Sequence, residues 1–439
     1  MQDNVLQELS QMILQEAAKK GATQAEVNIS ANKGFTVNAR EGDVETVEYH
    51  QDKVIEITVY FDKRCGVAGL SDIRPEAVRS AVDAACHIAK FTGEDPASGL
   101  PDKEDLAFDY PKLDLCFPWS ISVEEAIKLA IECEREAVNY DKRIMSAEDV
   151  AVTTSTSLHI HANSLGFLGH FPYSRHEISC VLVGKQKDEM QRDYWYTTSP
   201  DAADLESISA VAKKAAERTI SRLGARTLPT MKTPVIFATE EARGLFGSFI
   251  SAIKGASLYR KSSFLLDKLG ERVFPDFIHI QEFPHLLRAL GTSPFDDEGV
   301  ATRENVFIEN GMLRSYALGS YSARKLNMKT TGNAGGVHNL TVRSGTKNLS
   351  ELIKTMNKGL LITELMGQGT NIVTGDYSRG ASGFWVENGE IQYPVHEITI
   401  AGRLQDMFMG MIEVGNDVDV RGGIRTGSVL INEMMVAGG

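Results

Sequence analysis

Cysteine is scarce in this 439-residue chain: five residues, Cys65, Cys86, Cys116, Cys133 and Cys180, at wide and irregular spacing. An odd number without a CxxC pair supports neither a disulfide framework nor a zinc knuckle, so the cytoplasm is the expected compartment. No thiol follows Cys180. Long apolar runs are missing too. No window approaches the roughly 18 consecutive apolar residues of a membrane-spanning helix. The opening Met1-Gln-Asp-Asn-Val-Leu lacks the basic leader and apolar block of a secretion signal. Positive charge is in deficit, since 46 Lys and Arg against 59 Asp and Glu leave a net charge of −13. Without a run of basic residues, the counterion release that drives general nucleic-acid binding has no source. Neither a membrane nor a nucleic acid is expected as a partner.

Several chemistries are absent at the level of motif. Gly367-Gln-Gly369, Gly332-Asn-Ala-Gly-Gly336 and Gly345-Thr-Lys347 are glycine-rich or end in lysine. None has the spacing of a dinucleotide or P-loop turn between a strand and a helix. Gly380-Ala-Ser-Gly383 is not a nucleophile elbow. Ten histidines occur, but no HExxH pair sets two imidazoles one helical turn apart. His176-Glu177 and His396-Glu397 read as strand residues. His159-Ile-His161 would share one face of a strand, and His338 sits in the loop-like Gly335-Gly-Val-His-Asn339.

Periodicity outlines three parts, 1–101, 102–228 and 229–439. The first begins with a helix over residues ~3–20, where Leu6, Leu9 and Ile13 recur at helical spacing. Short strands follow at Ala25–Ser30, Val44–Tyr49 and Val54–Phe61. They are separated by hairpin-like breaks at Asn32-Lys-Gly34, Arg40-Glu-Gly-Asp43 and Asp62-Lys-Arg64. Pro75–Phe91 reads as a helix on that sheet and Thr92–Pro101 as a linker. The second part repeats helix, strands, helix, with Ser122-Val-Glu-Glu125 as a capping box and Leu205–Leu223 as the closing helix. The third opens with the strand Val235-Ile-Phe-Ala238 and a helix over Glu240–Ile253. Asn310-Gly311 and Asn388-Gly389 sit between strand formers, as type I′ hairpins require. The predicted fold class is α+β: helix-plus-antiparallel-sheet units, then a mostly antiparallel, barrel-like or layered β-rich region.

The most unusual segment is Gly367–Val395, which holds permissive glycines, Asp-Tyr-Ser-Arg (376–379) and a hairpin. Such a stretch can present main-chain hydrogen bonds to an extended chain. Together with Ser322-Ala-Arg-Lys-Leu326, Thr331-Gly-Asn-Ala-Gly-Gly336, Arg40-Glu-Gly-Asp-Val-Glu-Thr-Val-Glu48 and Tyr259-Arg-Lys-Ser-Ser-Phe-Leu265, it resembles the TldD/TldE (PmbA) family. The likeness spans almost the whole chain.

That resemblance implies two subunit types. The TldD type carries an HExxxH zinc motif on the helix after the first strand of its last domain, and a cysteine ligand near its C-terminus. Here the corresponding stretch, Ala238-Thr-Glu-Glu-Ala-Arg-Gly-Leu-Phe-Gly-Ser-Phe249, has no histidine, and the C-terminal half has no cysteine. Thr239, Glu240 and Arg243 cannot replace two imidazoles and a thiolate. The chain therefore resembles the PmbA/TldE type, with no catalytic residue and no cofactor of its own. Zinc is expected on a TldD-type partner, where metal-bound water would attack the carbonyl of an unfolded peptide with the motif glutamate as general base. The family is linked to microcin maturation, to turnover of the CcdA antidote and to the name modulator of DNA gyrase. His338, Gly375, Asp376, Tyr377 and Arg379 are the candidate peptide or partner contacts. Two alternatives remain open: a self-sufficient peptidase with ligands such as His159, His161 or His338, and a non-proteolytic regulator of a gyrase toxin system.

Overall fold

The computed structural model of the chain describes residues 2–438. Helix α1 (Gln2–Lys19) buries the stripe Leu6, Leu9, Ile13 and Ala17. Strands β1 (Gln24–Arg40), β2 (Asp43–Phe61) and β3 (Arg64–Leu70) follow, and then α2 (Pro75–Phe91), whose first residue is the proline that suits a helix start. The expected break at Asn32-Lys-Gly34 does not occur: β1 runs on, with Asn32 opposite Asp52 and Gly34 opposite His50. Polar residues there lie on an exposed part of the ribbon. Gly34 serves a close approach instead of a turn, since a Cβ would sit 2.0 Å from the Thr154 carbonyl oxygen. The Glu41-Gly42 turn does form, with φ of 57° and 77°.

Helix α3 (Val123–Val138) is started by the expected capping box. Ser122 Oγ accepts from the Glu125 N–H at 3.2 Å, and Glu125 Oε2 accepts from the Ser122 N–H at 2.8 Å. Strands β4 (Ile144–Asn163), β5 (Leu168–Gln186) and β6 (Glu189–Ser199) lead to α4 (Ile208–Ser221). All six strands form one antiparallel sheet in the order β3-β2-β1-β4-β5-β6. The stretches expected at 1–101 and 102–228 share this one sheet through β1 and β4, where Ile29 lies opposite Ile160.

One face of this sheet carries the helices. Val27, Ile29, Ile55, Ile57 and Ile160 pack under α1 and α2, and Val37, Val150, Val152 and Leu182 under α3 and α4. Because side chains alternate along a strand, Glu26, Asn28, Glu56, Thr58, His159 and His161 belong to the opposite face.

The remaining chain begins with β7 (Met231–Phe237), α5 (Thr239–Ile253) and α6 (Gly255–Tyr259). Short strands β8 (Ile280–Glu282), β9 (Val306–Glu309) and β10 (Met312–Leu313) precede α7 (Ser320–Lys325), β11 (Leu340–Val342) and α8 (Leu349–Met356). Longer strands β12 (Gly359–Met366), β13 (Asp376–Glu387) and β14 (Glu390–Arg403) come next. The chain ends with α9 (Leu404–Met409), β15 (Met411–Val414), β16 (Ile424–Arg425) and β17 (Val429–Gly438).

Strand β7 pairs in parallel with β12, and the pairings β12–β13, β13–β14, β14–β17 and β17–β7 are antiparallel. The circuit returns to β7, so these five strands close a barrel, and closure removes the unpaired edges. The barrel-like, mostly antiparallel expectation holds, and the molecule is α+β. Both Asn-Gly turns have φ positive at each residue: 50° and 75° at Asn310-Gly311, 57° and 72° at Asn388-Gly389. Alternation sorts the barrel strands. Phe237, Leu360, Ile362 and Ile400 share a core with Phe246 and Phe249 of α5, whereas Ile236, Leu361 and Leu430 pack against Leu352 and Met356 of α8.

Candidate functional site

Directly after β7, the first turn of α5 sits in a knot of arginines. Glu240 Oε1 lies 3.4 Å from Arg218 Nη1 of α4 and 3.5 Å from Arg421 Nη2. Asp193 takes Arg218 Nε at 3.1 Å and Arg222 Nη1 at 3.3 Å, and Arg222 also pairs with Glu364 of β12. Asp419 binds Arg421 Nε at 3.0 Å and Arg243 Nη1 at 3.5 Å. The Arg421 guanidinium lies 3.9 Å from the Trp195 ring centre and 4.5 Å from that of Tyr196. Burial alone would raise the Asp419 carboxyl, but its hydrogen bonds from Arg421 and the charges of Arg421 and Arg243 hold it below the usual range. The sequence marks Thr239, Glu240 and Arg243 only as side chains unable to replace zinc ligands, and gives no sign of Asp193, Arg218, Asp419 and Arg421, which come from distant segments.

The five candidate contacts separate. Tyr377 and Arg379 alternate with Asp376 and Ser378 along β13, so the first pair turns inward and the second outward. Tyr377 is buried, and the Arg379 guanidinium lies beside it and beside Glu241 of α5. Burial pushes the Tyr377 hydroxyl up to about 12 even with Arg379 acting against it. Glu241 is pushed up to about 7, first by burial; Arg379 and Arg218 oppose the shift, and Glu240 and Glu364 add to it. Asp376 is exposed and accepts a hydrogen bond from Thr374 Oγ1 at 2.6 Å. Gly375 has φ of 85° and no space for a Cβ, which would meet Gln405 Oε1 at 2.0 Å. Its contribution is the turn itself.

The first half of α5 does not suit zinc. With the glutamate of a His-Glu-x-x-x-His motif placed at 240, the flanking positions are Thr239 and Gly244; placed at 241, they are Glu240 and Leu245. Leu245 is core, Glu240 is committed to two guanidiniums, and Glu241 faces a third. The carboxylates of this turn are already engaged by guanidiniums, and it offers no imidazole or thiolate of the kind that usually holds zinc. Among the described residues, no three His, Cys, Asp or Glu side chains converge as a metal cluster.

His338 lies elsewhere, where the helix-free face of the six-stranded sheet meets the loops at 296–298 and 334–338. Its N–H donates to Glu282 Oε2 at 2.8 Å, and its Nδ1 stands 3.7 Å from the same oxygen. Glu282 is 1% exposed and also accepts from Asn333 Nδ2 at 2.9 and 3.0 Å and from Asn305 Nδ2. This carboxylate, unremarked in the sequence, pins the His338 loop. His338 and His159 line one cavity of about 430 Å³ with Phe171, Tyr173, Phe295 and Asp297. His161 does not join them: its Nδ1 lies 2.8 Å from Asn28 Oδ1 and its Nε2 faces Glu26. Burial lowers His159 to about 4; burial, with a small contribution from His159, lowers His161 to about 3. Both rings are neutral near pH 7. His176 is satisfied at both nitrogens, by Thr154 Oγ1 at 2.9 Å and the Phe117 carbonyl at 2.8 Å.

Comparison with known proteins matches three family models along the chain. They describe the PmbA/TldA metallopeptidase domain 1 at 25–89, the central domain at 117–223 and the C-terminal domain at 230–438. Metalloprotease PmbA of Escherichia coli O157:H7 is 47% identical over 437 residues, covering 100% of this chain and 97% of the relative. Among solved structures, a Bacteroides thetaiotaomicron protein named as a modulator of DNA gyrase superposes with a TM-score of 0.92 at 26% identity, over 98% of each chain. TldE from Thermococcus kodakarensis shares the fold, with a TM-score of 0.86 at 21% identity over 98% of this chain and 100% of that one.

Proposed function

Because the chain belongs to the PmbA/TldD family of metallopeptidases, we propose that it is the subunit without a catalytic metal in a two-subunit metalloprotease. The observation that carries this reading is the first turn of α5, where Glu240 is held by Arg218 and Arg421 and Leu245 is part of the core. A TldD-type partner would hold the zinc, which supplies the hydrolytic water and polarises the peptide carbonyl. This chain completes the chamber, holds an unfolded peptide in extended form and excludes folded proteins. Microcin precursors and the CcdA antidote are the peptides that the family resemblance suggests. Among the described residues no helix is long and apolar enough to cross a membrane, and the reading puts the heterodimer in the cytoplasm, without a nucleic-acid partner.

Co-expression with a TldD-type subunit, size analysis and a cleavage assay on an unfolded peptide test the reading. The expected result is a heterodimer that cleaves and an isolated chain that does not. Cleavage by the isolated, metal-loaded chain would overturn it. One observation favours a self-sufficient peptidase instead, the cavity shared by His159 and His338. That alternative requires alanine at His159, His161 and His338 together to abolish zinc uptake.

A further inference from the structure

The cavity beside His338 is one end of a longer trough. It shares His159, Asp297, Ala334 and Gly335 with a second cavity of about 460 Å³, which also takes in Asn28, Val54 and Glu56. The second shares Glu26, Thr58 and Glu298 with a third of about 620 Å³, reaching Tyr60, Asp95 and Tyr321. The floor is the helix-free face of β1, β2 and β4, and part of the wall is the loop 296–298. The ends differ in chemistry. Phe171, Tyr173 and Phe295 make the first cavity aromatic, and the Phe171 and Phe295 rings meet edge to face at 5.4 Å. Among the described residues, no lysine or arginine lines the second or the third cavity.

Four carboxylates stand in that acidic stretch: Glu26, Glu56, Asp297 and Glu298. Among the described residues, no Lys or Arg lies within ion-pair distance of any of them, although Asp95 nearby is paired with Lys325 at 2.8 Å. Beyond that distance the favourable charges acting on Asp297 are His338 first and then Lys254, which lies beside Gly336. Glu26 Oε1 accepts from the Tyr60 hydroxyl at 2.7 Å. Its other oxygen is 3.9 Å from Nε2 of His161, which is wholly buried and has no hydrogen-bond partner at that nitrogen. A buried acceptor left in this state is costly; His161 lies behind Glu26 and lines none of the three cavities, so of the two it is Glu26 that a ligand in the trough can meet. Burial first, then the Glu298 and Glu56 charges, push the Glu26 carboxyl up to about 7 despite the Tyr60 bond. An incoming cation acts in the opposite direction.

We infer that this trough binds an extended peptide segment, setting a Lys or Arg side chain against Glu26, Glu56, Asp297 and Glu298 and a large apolar side chain among Phe171, Tyr173 and Phe295. The inference rests on the substrate-holding role proposed above, and gives that role a preference for basic segments containing an aromatic residue. It fits a site assembled from charge complementarity and one apolar pocket.

The test uses the full chain and a dye-labelled, unstructured octapeptide containing Phe-Lys-Arg, compared with the same peptide carrying Glu-Glu in place of Lys-Arg. Fluorescence anisotropy should show the basic peptide bound at least about tenfold more tightly. Glu56→Gln with Glu298→Gln should erase about that factor, while Glu309→Gln, in the distant β9–β10 hairpin, leaves it unchanged. Thermal melts confirm that each variant is folded. Equal binding of the two peptides, no binding of either, or an unchanged preference in the double variant would overturn the inference. Co-elution with a TldD-type subunit is measured on the same samples. Failure of the wild-type chain to pair tells against the proposed function, while the peptide data decide the trough.

Discussion

Acidic side chains are treated in opposite ways in two regions of this molecule. Around the start of α5, each of Asp193, Glu240 and Asp419 faces two guanidiniums, and Arg421 is further packed against Trp195 and Tyr196. In the trough, Glu26, Glu56, Asp297 and Glu298 crowd together with no Lys or Arg within ion-pair distance among the described residues. The first arrangement is closed: its charges compensate one another and leave no vacancy for a ligand ion. The second is open: Glu26 accepts from the Tyr60 hydroxyl and Glu298 from the Ser320 N–H at 2.8 Å, but no guanidinium or ammonium pairs with either among the described residues.

The comparison breaks most visibly on the closed side. Arg421→Ala leaves Asp419 and Glu240 short of a partner and empties the space over Trp195, so chemical denaturation should show a loss of about 3 kcal/mol or more. A loss below about 1 kcal/mol would mean that the knot is not a structural unit. On the open side the sign changes with pH. The folded value of Glu26, about 7, lies above its ordinary 4.5, so the folded state binds more protons between those values. Its contribution to stability is therefore present below about pH 4.5 and lost as pH rises toward 7. Glu26→Gln should gain on the wild type by roughly 1.4 kcal/mol per pH unit across that window, measured by melts at several pH values. A constant difference contradicts the assignment.

His161 behaves in the reverse sense, since its folded value of about 3 is below its ordinary 6.5. Its contribution is present above pH 6.5 and lost as pH falls toward 3, so His161→Asn should flatten the acid limb of the stability profile. The smallest effect is expected at Tyr377→Phe, which removes a hydroxyl with no hydrogen-bond partner of good geometry. A change within about 0.5 kcal/mol is predicted, and a larger loss would show that Tyr377 and Arg379 act as a unit.

Local signals were the legible part of this fold. Pro75, the Ser122–Glu125 box and the two Asn-Gly turns each mark a boundary through backbone chemistry confined to a few residues. The length of β1 and β2 was hidden because Asn32-Lys-Gly34 reads as a turn until its neighbour is known; the approach of Thr154 explains the glycine. Barrel closure was suggested only in outline. It depends on Ile398 meeting Gly438 and Phe237 meeting Val429, pairings that no short window contains. The same limit governs the site. Strand alternation placed His159 and His161 on one face, but the arginine knot joins residues from 193 to 421, and Glu282 acquires meaning only through the His338 loop it holds. That the start of α5 holds no histidine could be read from the sequence; that guanidiniums surround it could not.

Metal counting on purified components tests the central claim most directly. Elemental analysis of the heterodimer should find one zinc per pair, and the isolated chain, refolded or native and dialysed against zinc, should retain none. One tightly held zinc in the isolated chain, lost on substituting Glu240 and Glu241, would contradict the account.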